Sequence, residues 1–390
     1  MLFRAPTLDS TEHAVLQQIE AIHRQLNNAT RQGGRWTGLL RRTTLAKAIQ
    51  GSNTIEGYNV TVEDAIAAVE GEEPMEADAE TWAAIKGYRD VLTYVMQLAG
   101  DPYFQYDASL LRSLHFMMLS YDLHKHPGTW RPGYVAVRND ETGRVVYEGP
   151  EIEIVPGLVD ELVTWLNDRD ESTPALVRAA MGHLNLVMIH PFSDGNGRMA
   201  RCLQTLMLAR EGILARPFSS IEEHIGTRRN TPEYYRMLGI VGGGTWGPQR
   251  DVKPWIRFIL SAHYFQASTY ARRVHTIGKL WDAMQAEIKN RDLSERVDAA
   301  LMDAAMGLRV RNATYRSAAM VSNDVASRDL KDLVEAGLLV AVGEKRGRIY
   351  TASKRIKSIA DQIRTHARAE IKDPFESSPP PVEQRLLFGQ

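Results

Sequence analysis

The chain has 390 residues, and its 47 basic and 48 acidic side chains leave a formal net charge of −1. This length suggests two or three domains and is ample for a buried core. A nearly neutral chain does not indicate a protein that coats nucleic acid, although it leaves room for a local basic patch. The single cysteine, Cys202, excludes an intramolecular disulfide and is typical of a reducing compartment.

The apolar segments indicate no membrane association. The first residues, 1–6, lack the long apolar run of a signal peptide. No window approaches the roughly 20 consecutive apolar residues that a membrane-spanning helix needs. We therefore expect no membrane partner and a cytoplasmic location.

Residues 1–99 are predicted to form a helical N-terminal region. A first helix is indicated by apolar residues at helical spacing, namely Val15, Ile19, Ile22 and Leu26. A second helix is predicted over residues 39–50, where Gly51 interrupts the pattern. Thr61 caps a third helix, and a long helical pattern follows over residues 81–98.

Two short β-prone runs stand in the otherwise helical middle of the chain. They cover residues 134–137 and 144–147, and turn residues at 139–143 separate them. This arrangement predicts one β-hairpin. Helical patterns then return at residues 158–166, from Pro174 to Met188, from about Gly197 to Arg210, and onward to about Val274.

Residues 290–355 have an organisation that is typical of a winged helix. Three short helical patterns lead into an apolar run at 338–342, a basic turn at 343–347 and a second β-prone run at 348–350. The last segment, 372–390, is rich in proline and is predicted to be a disordered tail or an extended linker.

The segment from His190 to Arg201 carries the strongest chemical pattern. A helix delivers His190 into a loop that Pro191 interrupts, and the loop opens into the next helix. The unpaired N–H groups and the dipole of that helix start attract an anion. Because Gly195 and Gly197 have no side chains, a phosphate can approach the backbone closely.

Charged side chains complete this pattern. Arg198 and Arg201 are three residues apart on one helix face, so both can reach one polyphosphate. Asp194 is an anion in a cationic pocket, which a divalent metal bridging the phosphates would explain. His190 can accept a proton near neutral pH. The segment therefore predicts in-line attack on a phosphorus atom.

The same segment resembles the Fic (filamentation induced by cAMP) family motif, His-Pro-Phe-x-Asp/Glu-Gly-Asn-Gly-Arg-x-x-Arg, at every specified position. The resemblance implies a mainly α protein with a Fic-fold helical core over about residues 100–275. The hairpin would be the flap of this core, and a C-terminal winged-helix domain would follow. The implied reaction is transfer of AMP from ATP to a Ser, Thr or Tyr hydroxyl of a protein, with release of pyrophosphate.

The resemblance also implies roles for individual residues. His190 would be the base that deprotonates the target hydroxyl, and Asp194 would hold Mg²⁺. Phe192 would pack into the core and fix the loop. The phosphates of ATP would contact Gly195, Asn196, Gly197, Arg198 and Arg201.

Three further residues match family positions less directly. Tyr234 and Tyr235 lie in a stretch that resembles the family's sequence near the adenine pocket, where Thr231 replaces a common arginine. Either tyrosine could face the nucleotide, and core packing is the alternative. His183 is interpreted as a core residue with satisfied hydrogen bonds.

A second motif lies upstream. Ser52-x-x-x-Glu56-Gly57 resembles the inhibitory motif that precedes the catalytic core in many Fic proteins. By resemblance, Glu56 would pair with Arg201 in the pocket for the γ-phosphate and leave ATP misplaced for attack. The alternative is an ordinary helix end with an exposed glutamate.

The predicted partners are ATP and a protein that bears a hydroxyl side chain, which includes the chain itself. An exposed edge of the hairpin could hold the target by strand addition. A homodimer is a further candidate assembly, because contact between two Glu56-bearing regions would regulate the site.

The winged helix could bind DNA or contact protein. Residues 327–333 resemble its recognition helix, and basic residues nearby suit phosphate contacts. The residues to test for DNA binding are Arg316, Arg328 and Lys345. The acidic residues Asp329, Asp332 and Glu335 share the helix and oppose this function.

Two alternative functions stay open at this point. The first is a Fic-fold transferase of another phosphate-containing group, such as phosphate or phosphocholine. The phosphate-transferring branch replaces a loop glycine with lysine, so Gly197 favours AMP. The second is a DNA-binding regulator whose Fic domain senses nucleotide, and His190 argues against it because a sensor needs no base.

Overall fold

The computed structural model describes residues 1–31, 36–138, 143–168, 170–213, 218, 220–344, 348–366 and 370–376. Its N-terminal helices are α1 Ser10–Arg31, α2 Trp36–Ile55, α3 Val62–Glu70 and α4 Ala79–Leu98. The central helices are α5 Ala108–Leu119, α6 Val155–Asn167, α7 Ala175–Ile189, α8 Asn196–Arg210, α9 Glu222–Ile225 and α10 Thr231–Gly242. The C-terminal helices are α11 Lys253–Asn290, α12 Asp298–Ala305, α13 Asn312–Ala319, α14 Asn323–Glu335 and α15 Lys354–His366.

Five short strands accompany the helices. They are β1 Ala136–Arg138, β2 Val145–Glu148, β3 Gly244–Thr245, β4 Leu339–Val342 and β5 Ile349–Ala352. The first three form one sheet and the last two form another.

The predicted apolar stripe of α1 is buried. Val15, Ile19 and Leu26 are each at most 1% exposed, and α1 packs along α11. The described residues of the N-terminal region, predicted as residues 1–99, form no separate apolar cluster. Most of the buried apolar side chains join the cluster that surrounds α7 and α8, and Ile22, Leu26 and Leu40 join a second cluster.

The predicted interruption of α2 at Gly51 is wrong, because α2 continues to Ile55. Gly51 lies where α2 crosses α9. A Cβ atom built on Gly51 would lie only 2.2 Å from the carbonyl oxygen of Glu222. The glycine therefore permits a close helix crossing, and its position inside the helix is a packing requirement.

Two buried helices carry the central part of the fold. Most residues of α7 are buried, and α8 is buried along nearly its whole length. These helices pack against each other, and α4, α5, α6 and the first half of α11 surround them. The loop between α7 and α8 is consequently held on both sides by the core.

The predicted hairpin is confirmed as β1 and β2, and its turn at 139–142 lies outside the described residues. β2 also pairs in parallel with β3, a strand that the sequence did not suggest. Among the described strands, β1 is therefore an edge of this sheet. The Tyr147 hydroxyl donates to the carbonyl of Met188 at 2.7 Å, which anchors the hairpin to α7.

The helix that was expected to end near Val274 continues to Asn290 as the 38-residue α11. Its second half packs with α12 to α15 in a second apolar cluster. α12, α13, α14 and the antiparallel pair β4–β5 follow in the order expected for a winged helix. The wing residues 345–347 lie outside the described part of the chain.

The beginning of the predicted tail is packed. Phe375 lies against the apolar core, with the Arg257 guanidinium 5.5 Å from its ring centroid. Residues 377–390 lie outside the described residues.

None of the helices in the described ranges combines the length and the apolar character that crossing a bilayer requires.

Candidate active site

The candidate site is built on the turn that connects α7 to α8. α7 ends at Ile189, and the next residue, His190, adopts a left-handed conformation with φ of 50°. Five residues later Gly195 has φ of 77° and precedes the first turn of α8. Histidine adopts this conformation more readily than most residues, and glycine adopts it freely. The two reversals bring His190 and the start of α8 to one place.

The loop is closed by its own side chains. The Asn196 side chain accepts the N–H of Phe192 at 3.0 Å and donates to the Phe192 carbonyl at 2.9 Å. The Phe192 ring is fully buried, as predicted. The Asn196 amide therefore holds the loop in shape.

The protonation state of His190 follows from one hydrogen bond and from burial. Nδ1 lies 3.1 Å from the carbonyl oxygen of Val187, which can only accept, so Nδ1 carries the proton. Burial lowers the pKa of His190 to about 4. The imidazole is therefore neutral near pH 7, and its Nε2 lone pair is available to accept a proton.

Arg198 and Arg201 are buried cations with free donors. Each residue is 1% exposed. Within the described residues, Nε and Nη1 of Arg198 and Nη1 of Arg201 have no hydrogen-bond partner. Buried guanidinium donors without partners are costly, and an anion bound beside them would satisfy them. Both arginines lie in the first two turns of α8, where the helix dipole adds positive potential.

The predicted inhibitory motif contacts Arg201 directly. The Arg201 guanidinium donates to Glu56 Oε1 at 2.7 Å, to Ser52 Oγ at 3.0 Å and to the Ser52 carbonyl at 3.1 Å. Burial alone would lower the pKa of Arg201, but the Glu56 carboxylate raises this pKa above its ordinary value. Gly57, with φ of 88°, ends the turn that aims Glu56 at the site.

Glu56 lies on the surface that Gly197 leaves open. A Cβ atom built on Gly197 would lie 2.7 Å from Glu56 Oε1 and 3.2 Å from Arg201 Nη1. The carboxylate therefore lies against the glycine backbone at the start of α8, where the sequence predicts a phosphate.

Asp194 has the chemistry of a metal ligand that acts together with a substrate. Its Oδ1 accepts the N–H of Gly195 at 2.6 Å, and Lys125 Nζ lies 3.1 Å from its Oδ2. Burial alone would raise the pKa of Asp194, but Arg198 and Lys125 lower this pKa below its usual value.

The residues around Asp194 fit a magnesium ion that arrives with phosphates. The described residues hold no cluster of three or more His, Cys, Asp or Glu side chains suited to a metal. Mg²⁺ commonly uses one or two carboxylates, with water and substrate phosphates as its other ligands. A single carboxylate beside a polyphosphate site satisfies that requirement.

Sequence reasoning missed two buried residues that position the loop. His115 stacks on Phe192 with ring centroids 3.8 Å apart. Its Nδ1 accepts the N–H of Gly128 at 2.9 Å, so Nε2–H donates to the Asp194 carbonyl at 2.9 Å. The Arg131 guanidinium donates to the His190 carbonyl at 3.0 Å. No local pattern marked either residue, because both act on partners more than 50 positions away.

The two predicted nucleotide-contacting tyrosines differ in environment. Tyr234 is 1% exposed, and its hydroxyl lies 3.0 Å from Nε2 of His183. This contact, together with Gln204 at 2.8 Å from Nδ1, satisfies His183 as predicted. The half-exposed Tyr235 donates its hydroxyl to the carbonyl of Ile55 at 2.9 Å, beside Glu56.

The residues named for DNA binding are only partly described. Arg316 and Arg328 are exposed on α13 and α14, whereas Lys345 lies outside the described residues. Asp329, which counted against DNA binding, is 2% exposed and accepts two hydrogen bonds from Arg296 at 2.8 Å. It therefore contributes little negative charge to the outer face of α14.

The segment that carries the candidate site is similar to known sequences. Residues 105–208 match the family model of the Fic/DOC family. The protein adenylyltransferase fic-1 of Caenorhabditis briggsae is 37% identical over 130 residues, which are 30% of this chain and 22% of that protein. The protein adenylyltransferase Fic of Drosophila melanogaster is 35% identical over 119 residues, 29% of this chain and 21% of that protein. The chain thus spans about a fifth of the length of these relatives.

Solved structures share the fold. A Fic family protein from Desulfovibrio desulfuricans G20 has a TM-score of 0.57 at 22% identity, covering 90% of this chain and 98% of that chain. A Fic domain-containing signaling protein from Bacteroides thetaiotaomicron VPI-5482 has a TM-score of 0.55 at 22% identity, with 68% and 97% covered. At identities this low, the structural similarity shows a common fold and nothing more.

The mainly α architecture and its likeness to these solved structures confirm the predicted fold class, a Fic fold. Within this chain, residues 105–208 match the Fic/DOC family as one domain.

Proposed function

We propose that this protein transfers AMP from Mg²⁺–ATP to a hydroxyl side chain of Ser, Thr or Tyr in a protein, and that Glu56 restrains this reaction. The observation that carries the proposal is the pair of buried arginines, Arg198 and Arg201, which have unpaired donors near the start of the helix that follows the His190 loop. A polyphosphate is the ligand class that satisfies such donors at a helix start. The names of the relatives favour AMP as the transferred group.

The mechanism follows from the state of His190. Its Nε2 lone pair accepts the proton of the target hydroxyl while the hydroxyl oxygen attacks the α-phosphorus. A bond forms between that oxygen and phosphorus, and the bond from phosphorus to the pyrophosphate oxygen breaks. The hydrogen bond from Nδ1 to Val187 holds the tautomer that this step requires.

Arg198 and Arg201 stabilise the negative charge that develops on the leaving pyrophosphate. Their donors are already desolvated and oriented, so little reorganisation is needed during the reaction. Asp194 would hold the magnesium ion, which would supply further charge neutralisation between the phosphates. The edge strand β1 offers backbone groups on which a target segment can be positioned near His190.

Glu56 restrains transfer because it holds the guanidinium on which the outer phosphates depend. The Glu56–Arg201 pair is nearly desolvated, since the side chains are 19% and 0% exposed. A nucleotide must replace one carboxylate contact with phosphate contacts to reach its reactive position. Removal of the Glu56 carboxylate therefore frees the site.

The reaction can be tested with ATP that carries an isotope label in either the α- or the γ-phosphate. We expect Glu56→Gly protein, incubated with Mg²⁺ and ATP, to retain covalent label from the α-phosphate and none from the γ-phosphate. His190→Ala in that background should abolish labelling. His124→Ala is the matched control, because the His124 side chain is fully exposed and should leave labelling intact. Retention of γ-label would instead identify a phosphotransferase, and α-label that survives His190→Ala would contradict the proposed base.

A further inference from the structure

Lys125 belongs to neither sequence motif, yet its ammonium group lies at the candidate metal ligand. Its Nζ is 3.1 Å from Asp194 Oδ2, the same oxygen that Arg198 Nη2 approaches at 3.6 Å. The other carboxylate oxygen, Oδ1, accepts the N–H of Gly195. Lys125 therefore occupies the side of Asp194 that a divalent cation would approach.

The surroundings of Lys125 allow its side chain to move. It is the last residue of a short 3-10 turn, Leu123–Lys125, and its side chain is 23% exposed. Its remaining contacts are weak: the Tyr58 hydroxyl is 3.4 Å from Nζ and the Tyr121 ring centroid is 5.7 Å away. A flexible lysine with partial access to water can leave one carboxylate without unfolding its neighbours.

A divalent cation and the present position of Lys125 exclude each other electrostatically. Mg²⁺ binds carboxylate oxygen at about 2.0–2.1 Å, which would bring it close to the ammonium group. Like charges at such separation repel strongly in a partly desolvated site. Arg198 adds a second positive charge on the same oxygen. The more mobile of the two cations, Lys125, must therefore withdraw when a metal binds.

We propose that Lys125 is a positioning residue that neutralises Asp194 in the nucleotide-free protein and competes with the metal for it. Lys125 thereby sets how strongly nucleotide binding depends on the metal. This inference rests on the proposed function for the assignment of Asp194 as the metal ligand.

A thermodynamic cycle between Lys125 and the metal tests the proposal without any transfer step. The full chain carries Glu56→Gly so that Arg201 is free, and the probe is α,β-methylene-ATP, which cannot transfer AMP. Calorimetry measures its Kd with Mg²⁺ and with EDTA, for this parent protein and with Lys125→Met or Lys125→Arg added. Lys253→Met is the matched control, because Lys253 Nζ pairs with Asp9 at 2.9 Å and its side chain is 30% exposed.

The decisive quantity is the ratio of the Kd in EDTA to the Kd in Mg²⁺. We expect Lys125→Met to increase this ratio by at least about threefold, because one competing charge is lost. Lys125→Arg and Lys253→Met should keep the parental ratio. A ratio that is unchanged or smaller in Lys125→Met overturns the proposal, including the case in which both Kd values weaken equally and Lys125 is only a phosphate ligand.

A further variant identifies the metal ligand. Asp194→Asn should reduce the ratio towards one, since the metal loses its carboxylate. A parental ratio in Asp194→Asn would place the metal elsewhere and overturn the proposal. Because nothing is transferred in these measurements, their outcome is separate from that of the labelling experiment.

Discussion

At the scale of single residues, the proposed chemistry depends on a histidine that is neutral before substrate arrives. Burial lowers the pKa of His190 to about 4, while the negative charge of Glu56 acts in the opposite direction. The Val187 carbonyl fixes the proton on Nδ1. His190 is thus a base that needs no deprotonation near neutral pH.

This state predicts the pH dependence of AMP transfer. The protonated imidazole is inactive, so activity is present above the folded-state pKa and is lost as the pH falls through it. In Glu56→Gly protein the pKa is lowered further, because a charge that raises it is removed. We expect labelling rates to stay constant between about pH 6 and pH 8.

The pH profile of kcat/KM for Mg²⁺–ATP, measured in buffers of matched ionic strength, checks this prediction because it reports pKa values of the nucleotide-free protein. A half-maximal rate centred near 6.5, the ordinary value for histidine, would contradict it. His124→Ala serves as the control for changes in a solvent-exposed histidine.

The positions of single site residues could be predicted from the sequence only where a short motif contains them. The spacing of Arg198 and Arg201 on one helix face and the reach of Glu56 to Arg201 were both expected, and the contacts are present. The roles assigned to these residues stay predictions. His115 and Arg131 could not be found, because a single sequence does not record which distant backbone groups they bind.

At the scale of elements, α2 positions the inhibitory motif by its close contact with α9. The crossing at Gly51 lies one residue before Ser52 and one turn and a half before Glu56. Gly226, after α9, meets the same point, since a Cβ built on it would lie 2.5 Å from Gly51 Cα. Backbone contact on this scale fixes how far Glu56 reaches into the site.

Two glycines of α2 provide a matched test of this packing. Gly51→Ala places a methyl group against backbone that cannot rotate away, so it should destabilise the protein by about 1–3 kcal/mol or more. Gly38→Ala meets nothing within 4 Å and should stabilise the helix by up to about 1 kcal/mol. Urea unfolding followed by circular dichroism measures both, and equal effects of the two changes would contradict the close crossing.

Tertiary contacts also explain the elements that sequence patterns misplaced. Gly51 was interpreted as a helix break, but it is a glycine because the backbone of α9 lies too close for a side chain. The extension of α11 beyond Val274 was missed because its polar stretch is balanced by apolar residues that face the C-terminal helices, among them Ile277, Leu280 and Met284. The short strand β3 depends on pairing with β2 and has no signal of its own.

At the scale of the whole molecule, the C-terminal helices are tied to the segment that carries the inhibitory motif. Arg42 in α2 forms ion pairs with Glu70 of α3 and Asp303 of α12. Arg309 adds pairs to Glu63 at 3.3 Å and Glu76 at 2.6 Å. The two apolar clusters are therefore joined by charged contacts as well as by α11.

Removal of the central cation measures the strength of this connection. Arg42→Met leaves two carboxylates without their shared partner in a buried interface, where Glu70 and Asp303 are 11% and 7% exposed. It should cost about 3–5 kcal/mol of unfolding free energy. The triple variant with Glu70→Gln and Asp303→Asn removes the unpaired charges and should recover much of the loss. A loss below about 1 kcal/mol for Arg42→Met, the range of a surface ion pair, would contradict a buried connection.

The intact mass of the protein after incubation with Mg²⁺–ATP tests AMP transfer, the role of His190 and the restraint by Glu56 in one experiment. Three forms are compared: wild type, Glu56→Gly, and Glu56→Gly with His190→Ala. We expect Glu56→Gly to gain the mass of AMP in a larger fraction of molecules than wild type, and the double variant to gain none. An equal gain in wild type and Glu56→Gly would contradict the restraint by Glu56. A gain in the double variant would contradict His190 as the base.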